Sequence, residues 1–367
     1  MVSKDVNFKI KRIAIKVGSN VLTKEDGKLN ISIMAHLVDQ ISHLRQLGYD
    51  VILISSGAVA AGRSQLNPTN KMDTVSERQL FSAIGQVKLI NRYSDLFHEH
   101  GLQCAQILTT KENFSDRGHY LNMKNCFETL LAQKVIPIVN ENDTISVEEL
   151  MFTDNDELSG LIASMVKADI LLLLTNVEGL YTGDPNDTKS ELIREVHSND
   201  PSLQQYIQPL KSSKGRGGMA TKFNIANKMT AQGIDVAIAS GLRKNIIIDI
   251  ITNNTEIPFT WFKRTQDKAN PIKRWLSHSC DFAQGTIRLN QGASSALHAN
   301  EGVSILPVGV IEIVEMFDSG EIIKIIDESG NTIGIGKANY DAGSLKKEMG
   351  LKNKKPIVHC DYLSLNI

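Results

Sequence analysis

Short apolar runs alternate along the chain with longer stretches of helical period. Arg12–Val17 reads as a first strand ending in a small-residue turn, Gly18-Ser19-Asn20. Asn30 suits the N-cap of a helix running to about Leu47, with Gly48 as its stop. Val51–Ile54 is the next apolar run, followed at once by Ser55-Ser56-Gly57-Ala58-Val59-Ala60-Ala61-Gly62. Glu77–Phe97 has the spacing of a long amphipathic helix, with Gly85 as a point where it can kink. Gln103–Leu108 reads as a strand, Tyr120–Gln133 as a helix and Val135–Val139 as a buried strand. Asp156–Val166 reads as helical. Asp169–Leu174 is a strand without polar alternation, as parallel strands buried on both faces show. Met219–Gln232 reads as a helix, Asp235–Ala239 as a strand, and the apolar run Ile246–Ile251 as the last strand of this region.

Strand and helix therefore alternate through residues 1–262, which predicts an α/β fold, a mostly parallel sheet sandwiched by helices. Residues 263–275 are polar and charged, contain Pro271, and read as a linker. In 276–367 the texture changes. Gly285–Leu289, Val303–Leu306, Val310–Met316, Glu321–Ile326, Thr332–Ala338 and Ile357–Cys360 read as short strands, giving a small C-terminal all-β domain expected as a partly closed barrel. At 367 residues, two domains are also what the length suggests.

Two polar stretches interrupt this pattern. The first, Asn140–Asp156, reads NENDTISVEELMFTDND and follows a strand. It gathers Glu141, Asp143, Glu148, Glu149, Asp154 and Asp156 beside Asn140, Asn142 and Asn155. Loops at strand C-terminal ends are where α/β proteins bind ligands. Such groups can hold a metal ion, an ammonium group or lysine side chains, or form a solvated acidic loop. The second, Lys211–Lys222, places three glycines among lysines and an arginine before a helix, which suits a loop closing over phosphates. Lys222 falls in the first turn of that helix, where the dipole disfavours a cation and calls for an anionic partner. The turn at Ser56-Gly57 fits either an anion site or close helix–strand packing.

Composition narrows the chemistry further. The formal net charge of −1 supplies no global basic field for nucleic acid or membrane. Cys104, Cys126, Cys280 and Cys360 form no C-x-x-C pair, which favours reduced thiols in a cytoplasmic protein and offers no metal ligand set. Lys9, Lys11, Arg12 and Lys16 interrupt the apolar residues of the N-terminus, so no signal peptide is expected, and no apolar run is long enough to span a membrane. Neither a Walker loop nor a G-x-G-x-x-G turn occurs, and Ser56 has no evident histidine partner. His98 and His100 read as surface residues, and Asp116-Arg117 as an ion pair or oligomer contact.

The ordered set IKVGSNVLT, ISSGAVAAG, AIGQ, VNENDTIS, FTDND, LLLLTNVEGLY and GRGGMATKFNIA resembles the glutamate 5-kinases of the amino-acid kinase superfamily. GTIRLNQGASSAL and SILPVGV resemble a PUA domain. The resemblance implies ATP-dependent phosphorylation of the γ-carboxylate of L-glutamate to L-glutamyl 5-phosphate, the first step of proline biosynthesis, with ATP and Mg²⁺. It implies that Lys16 binds ATP phosphate and that Ser56, Gly57, Asp143 and Asn155 bind glutamate. Thr175 and Asn176 would line the nucleotide site, and Arg216, Gly217, Gly218, Met219, Ala220, Thr221 and Lys222 the phosphate loop. Lys16 and Lys222 would bear transition-state charge, with Asp156 orienting both; Asp154 receives no role. Proline as feedback inhibitor and a homo-oligomer are implied as well. Asn176 stands where the family more often has Asp, and Arg216 where a small hydroxyl residue is commoner.

The residues agree with that chemistry. A carboxylate nucleophile with an unperturbed pKa of about 4.3 needs no general base, so the lack of a catalytic histidine is consistent. Another acid kinase of the superfamily, acting on acetylglutamate, aspartate or carbamate, is the nearer alternative. An RNA-associated role for the PUA-like domain is the further one. From Leu276 onward acidic residues outnumber basic ones by 11 to 8, which argues against tight RNA binding despite Lys346, Lys347, Lys352, Lys354 and Lys355.

Overall fold

The computed structural model describes residues 10–66, 72–145, 155–185, 187–197, 218–252, 254, 256–265, 283–299 and 302–365. The chain forms two compact units, residues 1–113 with 120–268 and residues 114–119 with 269–367.

The first unit is built on β1 (Arg12–Val17), β2 (Asp50–Ser55), β3 (Cys104–Thr109), β4 (Ile136–Glu141), β5 (Ile170–Thr175), β6 (Glu195–His197), β7 (Asp235–Ser240) and β8 (Thr260–Lys263). The helices along this part of the chain are α1 (Ser19–Leu22), α2 (Ile31–Gln46), α3 (Ala58–Arg63), α4 (Thr74–Glu99), α5 (Glu112–Ser115), α6 (Arg117–Ala132), α7 (Asn155–Met165), α8 (Met219–Ala231) and α9 (Ile246–Ile251), with residues 114–119 of α5 and α6 falling in the second unit. The strand order is β3-β4-β2-β1-β5-β7-β8-β6. Every pairing from β3 to β7 is parallel, and β8 turns antiparallel to β7. β1 lies between β2 and β5, with Lys16 level with Ile54 and Leu173. From β1 the chain winds first to one side and later to the other, so a ligand-binding crevice is expected at the strands' C-terminal ends. Residues 13–15, 51–55 and 170–174 are all fully buried, which explains their unbroken apolar runs.

Helix α2 starts where expected, with Asn30 Oδ1 accepting from the Ile33 amide. Helices α3 and α4 pack backbone to backbone. A Cβ on Gly85 would lie 1.7 Å from the Ala58 carbonyl oxygen, and one on Gly62 would lie 1.9 Å from that of Phe81. Gly85 thus serves close packing, which locks the N-terminal half of α4 beside the Ser56-Gly57 turn. Gly57 itself has φ of +101°, a conformation that favours glycine.

Two expectations in this unit need correction. Ile246–Ile251 is the helix α9, not a strand. Asn245 enters it in left-handed conformation, Ile246, Ile247 and Ile250 are buried, and Gln40 Oε1 on α2 accepts the Ile247 amide at 2.8 Å. A short run of isoleucines fits a buried strand or helix equally, and here the capping and packing decide it. β4 also continues through Asn140 and Glu141, so the acidic stretch begins inside the sheet. At the other end, β8 runs to Lys263, and Arg264 N donates to Asp235 Oδ1.

The second unit holds β9 (Gly285–Leu289), β10 (Val310–Glu315), β11 (Ile322–Ile326), β12 (Thr332–Ala338) and β13 (Val358–Leu365), in the order β10-β9-β11-β12-β13. All pairings are antiparallel except β9 with β11. Its core includes Ile287, Leu289, Ile323, Ile325, Ile335, Leu345 and Val358. Two helices join the strands that the sequence pattern predicts: α10 (Gln291–Ala299), capped by Asn290, and α11 (Ala342–Glu348), capped by Asp341. Val303–Leu306 is not a strand. Only Ile305 makes a bridge, to Val358, before Pro307 opens a 3₁₀ turn.

Candidate active site

The C-terminal ends of β1, β2, β4 and β5 converge with the N-termini of α7 and α8. Backbone bonds knit this edge: Gly18 N donates to Leu174 O, Ser56 N to Val17 O and Gly241 N to Thr175 O.

Asp156 is fully buried in the first turn of α7 and lies between two lysines. Lys16 Nζ, from β1, is 2.5 Å from Oδ1, and Lys222 Nζ, from α8, is 2.8 Å from Oδ2. Both lysines are themselves buried. Burial would push the Asp156 carboxyl up, but the adjacent Lys16 and Lys222 ammonium groups outweigh it and hold the carboxyl below the usual carboxylate range. Asp156 is also the anionic partner that the position of Lys222 called for. Gly218 opens α8 in extended conformation, and among the described residues no side chain caps that N-terminus. Met219, Ala220 and Thr221 form its first turn, while Arg216 and Gly217 lie outside the described residues.

Beside this cluster, Asn155 Nδ2 donates to Ser56 Oγ at 2.8 Å and to Asn140 Oδ1 at 3.1 Å. The serine of the β2 turn, the start of α7 and the end of β4 thus meet at one amide. Asn140, buried at the end of β4, is a member the sequence reading did not single out. Its signal was there, as the first residue of the acidic stretch.

Asp143, only 6% exposed, sits two residues beyond β4. Its carboxylate pairs with Arg78 on α4, and Ser82 Oγ donates to its Oδ2 at 3.3 Å. Arg78 Nη2 also pairs with Glu141 Oε2 at 2.9 Å. Arg78, Ser82 and Glu141 carried no role in the sequence reading. Thr175 ends β5 with its hydroxyl donating to Asn176 Oδ1 at 3.3 Å, and Asn176 is exposed. Glu148, Glu149 and Asp154 lie outside the described residues, as does the apolar segment 147–152.

The site therefore joins three sets: Lys16–Asp156–Lys222, Ser56–Asn155–Asn140, and Arg78–Glu141–Asp143. The first two are linked through adjacent residues at the start of α7, the last two through the end of β4. One of the three sets is lysine-rich and another carboxylate-rich.

Comparison with known proteins gives this geometry its family. The model of the amino acid kinase family matches residues 11–240, and that of the PUA domain residues 285–359. A glutamate 5-kinase of Bacteroides thetaiotaomicron is 54% identical over 353 residues, covering 96% of this chain and 98% of that one. A glutamate 5-kinase of Chlorobaculum tepidum is 45% identical, covering 97% of each. This chain belongs to the glutamate 5-kinase family. Among solved structures, the carbamate kinase from Giardia lamblia bound to AMP-PNP shares the fold of this family member, with a TM-score of 0.52 and 16% identity over 70% of this chain and 99% of that one.

Elsewhere, His359, Cys360 and Asp361 of β13 bring three potential metal ligands within 4.8 Å, although His359 Nδ1 already accepts the Asp361 amide. No helix among the described residues is long and apolar enough to cross a membrane.

Proposed function

We propose that the chain transfers the γ-phosphoryl group of ATP to the γ-carboxylate of L-glutamate, forming L-glutamyl 5-phosphate and ADP for proline biosynthesis. The observation that carries this reading is the buried Lys16–Asp156–Lys222 cluster at the strand ends. A carboxylate oxygen of glutamate bonds to the γ-phosphorus as the bond to the β,γ-bridging oxygen breaks. The nucleophile is already ionised near neutral pH, because its ordinary pKa is about 4.3. What the protein must supply is alignment and compensation of the negative charge that spreads over the transferring group.

Lys16 and Lys222 supply that compensation, and Asp156 fixes both ammonium groups beforehand. Ser56, Gly57, Asn155 and Asp143 hold glutamate, with Asp143 facing its ammonium group. Thr175 and Asn176, with Gly218, Met219, Ala220 and Thr221 at the start of α8, receive the nucleotide. Arg216 and Gly217 belong to the same phosphate loop. Mg²⁺ bound to the nucleotide would add charge neutralisation. The two lysine ammonium groups already on Asp156 disfavour a further cation at that carboxylate, so the ion is expected to come with the nucleotide. Proline as feedback inhibitor, a homo-oligomeric state and a cytoplasmic location complete the reading.

One assay tests it. The protein is incubated with ATP, Mg²⁺ and either glutamate, N-acetylglutamate, aspartate or carbamate, and acyl phosphate is trapped with hydroxylamine. Hydroxamate from glutamate alone is the expected result, and its absence with glutamate would end the proposal.

A further inference from the structure

Helix α4 presents a polar stripe to the segment after β4. Besides the Arg78 and Ser82 contacts, Gln79 Nε2 donates to Thr144 O at 3.0 Å and Gln86 Nε2 to Glu141 O at 3.4 Å. Four side chains over little more than two turns thus fix residues 141–144. Arg78 and Ser82, four apart, share one face. The packing of α4 on α3 through Gly62 and Gly85 holds that stripe in place.

At the centre stands Arg78, whose Nη2 pairs with both Glu141 and Asp143. Those two carboxylates are 3% and 6% exposed. Carboxylates sharing a buried site repel, and one of them takes up a proton unless a cation lies between them. We propose that Arg78 is a positioning residue for the amino group of the substrate: its guanidinium bridges Glu141 and Asp143 and aims the Asp143 carboxylate at the substrate ammonium. The inference rests on the assignment of Asp143 to glutamate. A carboxylate offers roughly four acceptor sites, so being held by Arg78 and Ser82 is compatible with a further bond to an ammonium group. One guanidinium nitrogen makes both pairs, so a lysine, which keeps the charge as a single point, can replace much of it.

The test is steady-state kinetics on the full chain. Arg78→Met is expected to raise the KM for glutamate by about 10- to 100-fold, the loss of a charged hydrogen bond. The kcat and the KM for ATP should stay within about threefold, because the interaction serves binding rather than the transition state. Arg78→Lys should recover most of the loss. The double variant Arg78→Met/Asp143→Asn should be no worse than the poorer single variant, since both act on one contact. Arg78→Gln carries the expectation of Arg78→Met if the latter fails to fold.

An unchanged KM for glutamate in Arg78→Met or Arg78→Gln would overturn the proposal. So would equal losses in kcat and in the KM for ATP, the mark of a merely structural role, or an Arg78→Lys variant as impaired as Arg78→Met. Asp143→Asn separates the two levels. If it leaves the KM for glutamate unchanged, the substrate site itself is misassigned; if it raises the KM while Arg78→Met does not, only the role of Arg78 falls.

Discussion

The two ends of the site are built from the same parts in opposite proportion. Around Asp156, two lysines share one carboxylate; around Arg78, two carboxylates share one guanidinium. Of these named groups, the first set carries one positive charge in surplus and the second one negative. Buried charge is costly unless an opposite charge accompanies it. A polyphosphate relieves the first surplus and an ammonium group the second. The proposed ligands match these signs, and internal pairing holds each set of side chains together.

The comparison breaks most visibly at the lysine end. Lys222→Ala should lower kcat by roughly 100- to 1000-fold, the usual cost of removing one aimed charge from a transition state. The KM for glutamate should move far less. Near-full turnover in the hydroxamate assay would show that the surplus positive charge has no part in the reaction. At the carboxylate end the pattern should invert. Asp143→Ala should raise the KM for glutamate by about 10- to 100-fold with a smaller change in kcat, because it removes a ground-state contact. A loss confined to kcat would mean that the two ends are not divided as their charges suggest.

The ends also differ in how legible they were. Lys16, Asp156 and Lys222 each stand at the edge of a strong periodic pattern, but their joint role came from the family resemblance. Their union is a consequence of parallel topology, which the alternation of strand and helix already implied. Arg78 is the contrary case. A single arginine on an amphipathic helix reads as solvent-facing, and nothing in the sequence places it against residues 63 and 65 positions later. The clue was indirect: an acidic segment continuing a buried strand needs a cation from somewhere. Similar reasons explain α9, whose isoleucines carry no period, and α10, a run of Ala and Ser with few apolar residues. Asn290 and Asp341 cap α10 and α11 in the structure, a signal the sequence reading did not use.

The carboxylate end depends on the seat of α4, which gives a stability test of intermediate size. Gly85→Ala would put a methyl group 1.7 Å from the Ala58 carbonyl oxygen, so one helix must shift. Overpacking of this kind costs about 1–3 kcal/mol, visible as a lower melting temperature. The shift should also raise the KM for glutamate while leaving the KM for ATP nearly unchanged, since α4 carries Arg78 and Ser82 but no phosphate-end residue. A variant as stable as the parent would mean that α3 and α4 adjust freely, and that the stripe on α4 is not held by that contact.

The smallest expected effect concerns acid. The Asp156 carboxyl is held below its ordinary range when folded, because Lys16 and Lys222 overcome the effect of burial. A depressed folded pKa means that the unfolded chain binds the proton more readily. The stabilisation is therefore complete above the ordinary aspartate value of about 3.9 and is lost as pH falls through the folded value. Asp156→Asn has no carboxyl to protonate and leaves the two lysines without their shared anion, so it should melt lower than the parent at pH 7. The gap in melting temperature should be flat from pH 7 to about 5 and narrow below about 4. A gap that already closes between pH 5 and 7 would place the titration on another group and remove the ion-paired Asp156 from the account of the lysine end.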